Sequence, residues 1–515
     1  MRSSTSVRWW ALGALALTIL AVGLDGTILN TALPTVSTEL GASTSQLQWF
    51  TNSYNLVMAA MLLPAGLLGD RYGRKWIMQA ALATFGVGSV WCAFSHSSAQ
   101  LIAARSVLGL GAAFLIPLCM SCVLVLFEPE ERHKAVSAMT SANMIGFPLG
   151  PILGGFLLQH FWWGSVFLVN VPVVLFGLAA VTALVPESRS PSNSRLDLFG
   201  ALISAIGMVA VTYGVIHAGA HGWGDPTTLA MVLGGVAVLV LFVAWERRVS
   251  WTRDPMVDLG LFHSRGFTWG TILATVVSFA MFGLLFNTPQ YFQAVLGADA
   301  LGTGLRLLPL VGGLVVGVLI ANRMIKPVGP KVPVTIGFGL MASGLLLGSG
   351  TDTGSGYGFA AVWIAVFGLG LGFAMSTTTM AAVGALSRER GGAGSALILA
   401  LRQLGSAIGV GILGSLATSA YRARLDTGGL SPDAGKQART SVAGGAAVAH
   451  RLGSAHVLDD VRSAFVHGMD LTLWVCGGIS VAGLLLTLAF LPGRSRSAVP
   501  AASGHEPSDT VSPMA

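Results

Sequence analysis

Apolar runs of eighteen or more residues recur from one end of this chain to the other, and they leave it few possible folds. Each run is long enough to cross about 30 Å of hydrocarbon. In that medium an unpaired backbone N–H or C=O is too costly to keep, so only helices and closed barrels can span it. Barrel strands alternate apolar and polar positions, whereas these runs are continuous. The chain therefore reads as an all-α polytopic membrane protein. Composition agrees: of 515 residues, 53% are hydrophobic and only 10% charged, against about 25% charged in soluble domains.

Fourteen spans are expected, at 9–33, 47–68, 76–95, 100–126, 135–158, 163–185, 197–218, 227–246, 267–291, 303–325, 332–350, 357–386, 394–419 and 466–492. With the N-terminus placed in the cytoplasm, most of the 29 Lys and Arg residues fall in cytoplasmic segments, and the short outer loops hold none. Arg422, Arg424, Lys436, Arg439, Arg451 and Arg462 share one long outer loop, and long loops translocate largely regardless of charge. The bias toward positive charge inside predicts a multi-pass protein of the inner (plasma) membrane with both termini cytoplasmic. It also accounts for the net charge of +7 with no nucleic-acid partner.

Residues 1–190 read as one block of six spans, 191–264 as two inserted spans, and 265–495 as a second block of six. The outer loop 421–464 within that block is expected to be an irregular cap or partly disordered. Residues 496–515 read as a disordered cytoplasmic tail. Two six-span blocks suggest internal repeats with a site near the midplane. Asn322, Arg323, Pro327, Gly329 and Lys331 after span 10 faintly echo the loop after span 2. All four cysteines (Cys92, Cys119, Cys122 and Cys476) lie within spans, so no structural disulfide is expected. No P-loop, Ser/His/Asp set or metal-ligand cluster is present in the sequence, which argues against an enzyme and against a metal or organic cofactor.

Asp25 is the only acid deep in a span. A carboxylate there costs about 2.5–3.5 kcal/mol on insertion scales, so it is rarely kept without a role. An acid awkward to bury charged and easy to bury protonated suits proton carriage; the competing reading is a helix cap or a permanent pair with a buried Arg. Arg105 offers such a partner. By a rise of about 1.5 Å per residue, Asp25 lies roughly 24 Å from the inner end of span 1 and Arg105 roughly 8 Å from the outer end of span 4. Within a membrane of about 30 Å these depths agree to a turn or two.

Several motifs then converge. Gly66-x3-Asp70-Arg71-x-Gly73-Arg74-Lys75, between spans 2 and 3, resembles the signature loop of the major facilitator superfamily. Leu24-Asp25-Gly26-Thr27 through Asn30 to Pro34 resembles the first-span motif of that superfamily's fourteen-span drug:proton antiporter branch. Gly146-x3-Gly150-Pro151-x2-Gly154-Gly155 is similar to its antiporter motif. Leu101-x3-Arg105-x3-Gly109-x-Gly111 matches the pattern with the buried arginine, with Leu108 where Gln is usual. Trp163-x3-Phe167-x2-Asn170-x-Pro172 matches another, with Gly164 and Ser165 replacing Arg and Trp.

The resemblance implies a major facilitator fold with 14 transmembrane helices: two six-helix bundles plus two inserted helices. It implies proton-driven efflux of small amphipathic drugs or antibiotics, or alternatively dedicated export of an endogenous metabolite such as an antibiotic or siderophore. Asp25 and Arg105 would couple the proton. Gly66, Asp70, Arg71, Gly73, Arg74 and Lys75 would form a conformational latch, and Gly146, Gly150, Pro151, Gly154 and Gly155 a gating element. Asn30, Trp49, Tyr54, Asn143, Asn287, Gln290, Arg402 and Gln403 are cavity candidates. The expected partners are an amphipathic substrate, protons and the bilayer, with the protein a monomer.

Overall fold

The apolar runs form long helices in the computed structural model, which describes residues 5–188, 197–249, 257–386 and 391–493. The first half contains α1 (Thr5–Glu39), α2 (Thr44–Tyr72), α3 (Arg74–Ala93), α4 (Ser98–Leu126), α5 (Pro129–His160), α6 (Ser165–Leu168) and α7 (Asn170–Leu184). Next come α8 (Leu198–His221) and α9 (Pro226–Val249). The second half contains α10 (Arg265–Ala294), α11 (Ala300–Arg306), α12 (Leu308–Val328), α13 (Lys331–Gly348), α14 (Tyr357–Gly384), α15 (Gly391–Arg424), α16 (Pro432–Thr440), α17 (Val442–Leu452) and α18 (Ala455–Phe490).

Twelve helices among the described residues, taking α6–α7 and α11–α12 as one each, are long and apolar enough to cross a membrane. The expected fourteen include two more, α2 and α5, of 29 and 32 residues. α2 carries Gln48, Thr51, Asn52, Ser53 and Asn55, all buried, so its polarity faces protein. Spans 6 and 10 are each broken once, at Val169 and Leu307. Pro172 and Pro309 lack an N–H, and each sits in the first turn of the second piece, where none is required.

In the first half α1 packs on α5 and α7, and α4 lies between α2 and α3. In the second, α14 packs on α12, α13 and α10, while α15 and α18 pack on α10 and on each other. α8 and α9 pair together, and α8 also touches α2 and α15. The halves meet along α2–α15, α1–α10 and α5–α11.

Small residues make one of these seams possible. A methyl group added at Gly146 would lie 2.6 Å from the Leu20 carbonyl oxygen, and one at Gly150 would lie 2.9 Å from that of Leu24. One at Gly154 would lie 2.9 Å from Ile28 Cγ1. α5 therefore rests backbone against backbone on α1. Gly155 turns the other way, where a methyl would meet the Ala300 carbonyl oxygen of α11 at 2.6 Å.

The loop 421–464 departs from expectation. It is helical rather than irregular: α15 runs on to Arg424, α16 and α17 follow, and α18 begins at Ala455. Ser431, Ser441 and Ser454 each cap the next helix, accepting from the backbone N–H of Ala434 (3.3 Å), Gly444 (3.0 Å) and Val457 (3.3 Å). Ala438, Val442, Val448 and Ala449 form its buried side. Pieces of 9 and 11 residues are too short for their periodicity to stand out in sequence. This cap reaches the first half: Ser37 Oγ and Ser441 Oγ share a hydrogen bond of 3.2 Å, and Thr44 Oγ1 donates to the Thr440 carbonyl (3.2 Å). The end of the bundle it covers is the capped face; the other, where α1 begins and α18 ends, is the terminal face. The expected tail 496–515 lies outside the described residues, as do the side chains of Asp70 and Asn143.

Candidate functional site

α1 and α4 bring the two charged residues together. Arg105 Nη1 donates to Asp25 Oδ2 at 2.7 Å, and Asp25 is fully buried. Arg105 Nε donates to the Phe50 carbonyl at 3.0 Å, and its guanidinium lies 4.4 Å from the centre of the Tyr54 ring. Asn170 Nδ2 donates to the second carboxylate oxygen at 3.1 Å and lies 3.3 Å from Ser89 Oγ. Both carboxylate oxygens are thus engaged, which is how an ionised acid is kept in a dry interior. Asn170 and Ser89 are additions to the expected pair. Asn170 was visible in the span 6 motif, but nothing in its spacing from Asp25 tied it to α1. Leu108, in the place of the usual Gln, is buried and adds no polar group to the network.

A cavity borders Tyr54. It is lined by Gly23 and Gly26 of α1, Tyr54, Asn55 and Met58 of α2, Ser278 and Phe282 of α10, Met375 of α14, and Leu399, Arg402 and Gln403 of α15. Its volume is about 90 Å³, below the roughly 300–1,000 Å³ of pockets that enclose drug-sized ligands. A substrate of that size requires the halves to part. Arg402 Nε donates to Ser278 Oγ at 3.2 Å, and Gln403 Nε2 lies 3.5 Å from Met58 Sδ, joining α15 to α2.

Of the eight residues expected to face a cavity, Tyr54, Arg402 and Gln403 line this one. Asn30 is buried elsewhere on α1. Trp49 faces α8, its ring 6.2 Å from that of Tyr213. Asn287 and Gln290 bond back to their own helix, at the Gly283 (3.2 Å) and Phe286 (2.8 Å) carbonyls.

The loop after α2 is held within the first half. Gly73 closes α2 with a φ of 113°, a conformation that favours glycine, and a methyl group there would strike Glu187. Lys75 Nζ donates to the Thr182 carbonyl in the last turn of α7 at 2.7 Å, while Arg71 is exposed and Gly66 has open space around it. The second half repeats the device: Lys331, first residue of α13, donates to the Leu488 carbonyl in the last turn of α18, also at 2.7 Å. In both halves a lysine satisfies a helix end whose carbonyls have no partner of their own.

Comparison with known proteins bears on this arrangement. The family model described as Major Facilitator Superfamily matches residues 15–410. A multidrug efflux pump, LfrA, of Mycolicibacterium smegmatis is 34% identical over 92% of this chain and 94% of its own length. The tetracenomycin C resistance and export protein of Streptomyces glaucescens is 30% identical over 93% of this chain and 91% of its own. Among solved structures, a bacterial homolog to the human lysosomal transporter Spinster, inward-facing and unoccupied, aligns with a TM-score of 0.67 at 16% identity, over 95% of this chain and 98% of that one.

Proposed function

The chain belongs to the major facilitator superfamily, and we propose on that footing that it exports small amphipathic drugs or antibiotics across the plasma membrane in exchange for protons. The efflux relatives support the export reading. The observation that carries the coupling is the buried Asp25–Arg105 pair, one side chain away from the cavity.

In this reading the capped face looks outward and both termini lie in the cytoplasm. α2 and α5 cross with the other twelve, giving fourteen spans: a bundle of six on each side of the inserted α8–α9. Asp25 is engaged while Arg105 holds it. A proton arriving from outside competes with that guanidinium for the carboxylate, and protonation loosens the α1–α4 contact. Tyr54 is the shared wall: its ring covers Arg105 and also lines the cavity, so a substrate pressing on it disturbs the pair. Proton and substrate then exclude one another, which is the requirement for exchange. One proton supplies about 2.3 kcal/mol per 100 mV and about 1.4 kcal/mol per pH unit, enough for a hundredfold gradient. The carrier acts as a monomer, with no cofactor.

The test is proton movement in everted vesicles on addition of a drug panel, wild type against Asp25→Asn. Substrate-triggered proton release that vanishes in the variant is expected; release that persists would place the proton elsewhere. A second reading, dedicated export of a self-made antibiotic, is favoured by the relative named for tetracenomycin C export. It predicts a response to one compound and silence to the rest.

A further inference from the structure

We propose that Arg402 makes the central cavity a site for amphipathic organic anions. This rests on the exporter reading and names its substrate class.

Arg402 lies eleven residues into α15, roughly 17 Å along it, well inside the membrane. An arginine at such a depth is ordinarily neutralised by an acid, as Arg105 is by Asp25. Arg402 has no such partner: its side chain makes one hydrogen bond, from Nε to Ser278 Oγ, and no ion pair among the described residues. Both terminal amino groups of the guanidinium are left over, the fork that binds a carboxylate with two parallel hydrogen bonds.

The surroundings have the same bias. Tyr54 and Asn55 line the same cavity, each only 2% exposed, and the Tyr54 hydroxyl and the Asn55 amide nitrogen have no hydrogen-bond partner. A buried donor without an acceptor costs about 1–3 kcal/mol, which an incoming oxygen would recover. No carboxylate lines the cavity, and Asp25 is fully buried in its own pair with Arg105. Phe282, Met58 and Met375 leave an apolar bed for the body of the molecule. A cation entering here meets a fixed positive charge and no carboxylate to offset it. An anion meets a fork, two unspent donors and an oily wall.

Three probes that share the dansyl fluorophore test this on the purified full-length protein in detergent: N-dansyl-leucine (a carboxylate), its neutral amide, and dansylcadaverine (an ammonium). Titration by fluorescence is expected to give a Kd for the carboxylate at least tenfold below that of the amide, with the ammonium weakest. Arg402→Gln is expected to erase the carboxylate's advantage over the amide, while Arg402→Lys retains part of it. Ammonium binding as tight as carboxylate binding, an advantage that survives Arg402→Gln, or no binding of any probe would each overturn the proposal. The wild-type ranking needs no variant, so a misfolded substitution does not blunt the test. Export is read separately with the vesicle drug panel: transport of cationic drugs without acid binding removes this inference alone, and a protein that moves no drug removes the exporter reading.

Discussion

At the scale of single residues, Arg105 is where charge and stability are most tightly joined. Its removal leaves the buried Asp25 carboxyl without its cation, to take up a proton or stay charged at a cost, so Arg105→Leu is expected to destabilise the protein by about 3–5 kcal/mol. Adding Asp25→Asn to that variant should recover most of the loss, because the orphaned charge is gone. Thermal unfolding of the four proteins of this double-mutant cycle in detergent measures the effect, and strictly additive losses would show that the two residues do not act as a pair. Gly26 offers a second handle. It lines the cavity, and a methyl group there would meet nothing within 4 Å. Gly26→Phe is expected to cut transport at least tenfold by filling the space. The ion pair was legible in sequence because each partner was a lone charge in an apolar run and their depths matched. Asn170 was not legible as its third member, nor was the packing of Trp49 against α8, because polar and aromatic residues are common in spans and their azimuth depends on packing.

At the scale of elements, the long apolar helices were legible from hydropathy, whereas the breaks at Val169 and Leu307 were not, because the prolines that follow them sit in a first turn where proline is tolerated. What hydropathy could not supply was which helix each glycine faces. Gly146, Gly150 and Gly154 serve α1, and Gly155 serves α11, a division that depends on the helix azimuth. Gly150→Val should therefore weaken the α1–α5 contact by about 1–3 kcal/mol through overpacking; unchanged thermal stability would argue that the helices slide apart freely. The two lysine clamps make a milder prediction. Lys75→Ala and Lys331→Ala each remove a cation from a helix C-terminus, worth about 0.3–1 kcal/mol. Being in different halves, their effects on unfolding in micelles should add to within about 0.5 kcal/mol. The echo between the loops after spans 2 and 10 was faint in sequence, yet the lysine is the part that recurs with the same job.

At the scale of the whole molecule, the halves are joined at the capped face by several independent contacts. Gln293 of α10 donates to the Thr31 carbonyl of α1 at 3.2 Å, Gly155 abuts α11, and α17 touches α1, α10 and α18. A carrier that opens there has to release them. Ser37→Cys with Ser441→Cys should form a disulfide across a gap where the hydroxyls now sit 3.2 Å apart, arresting transport until reductant is added. The four native cysteines are all buried and should not compete. Transport that continues at full rate with the bridge formed would show that the cap does not have to move. Composition and charge foretold a many-span membrane protein, but the cap's order was hidden, since its two helices are short and rich in Gly, Ala and Ser. That cap also gives the transport cycle a visible surface. On the orientation proposed here it faces outside the cell, and the opening proposed above would release its fit against Ser37 and Thr44. An antibody fragment that grips α17 together with the end of α1 would recognise the shut carrier alone. It would report the cycle from outside and hold it still without ever crossing the membrane.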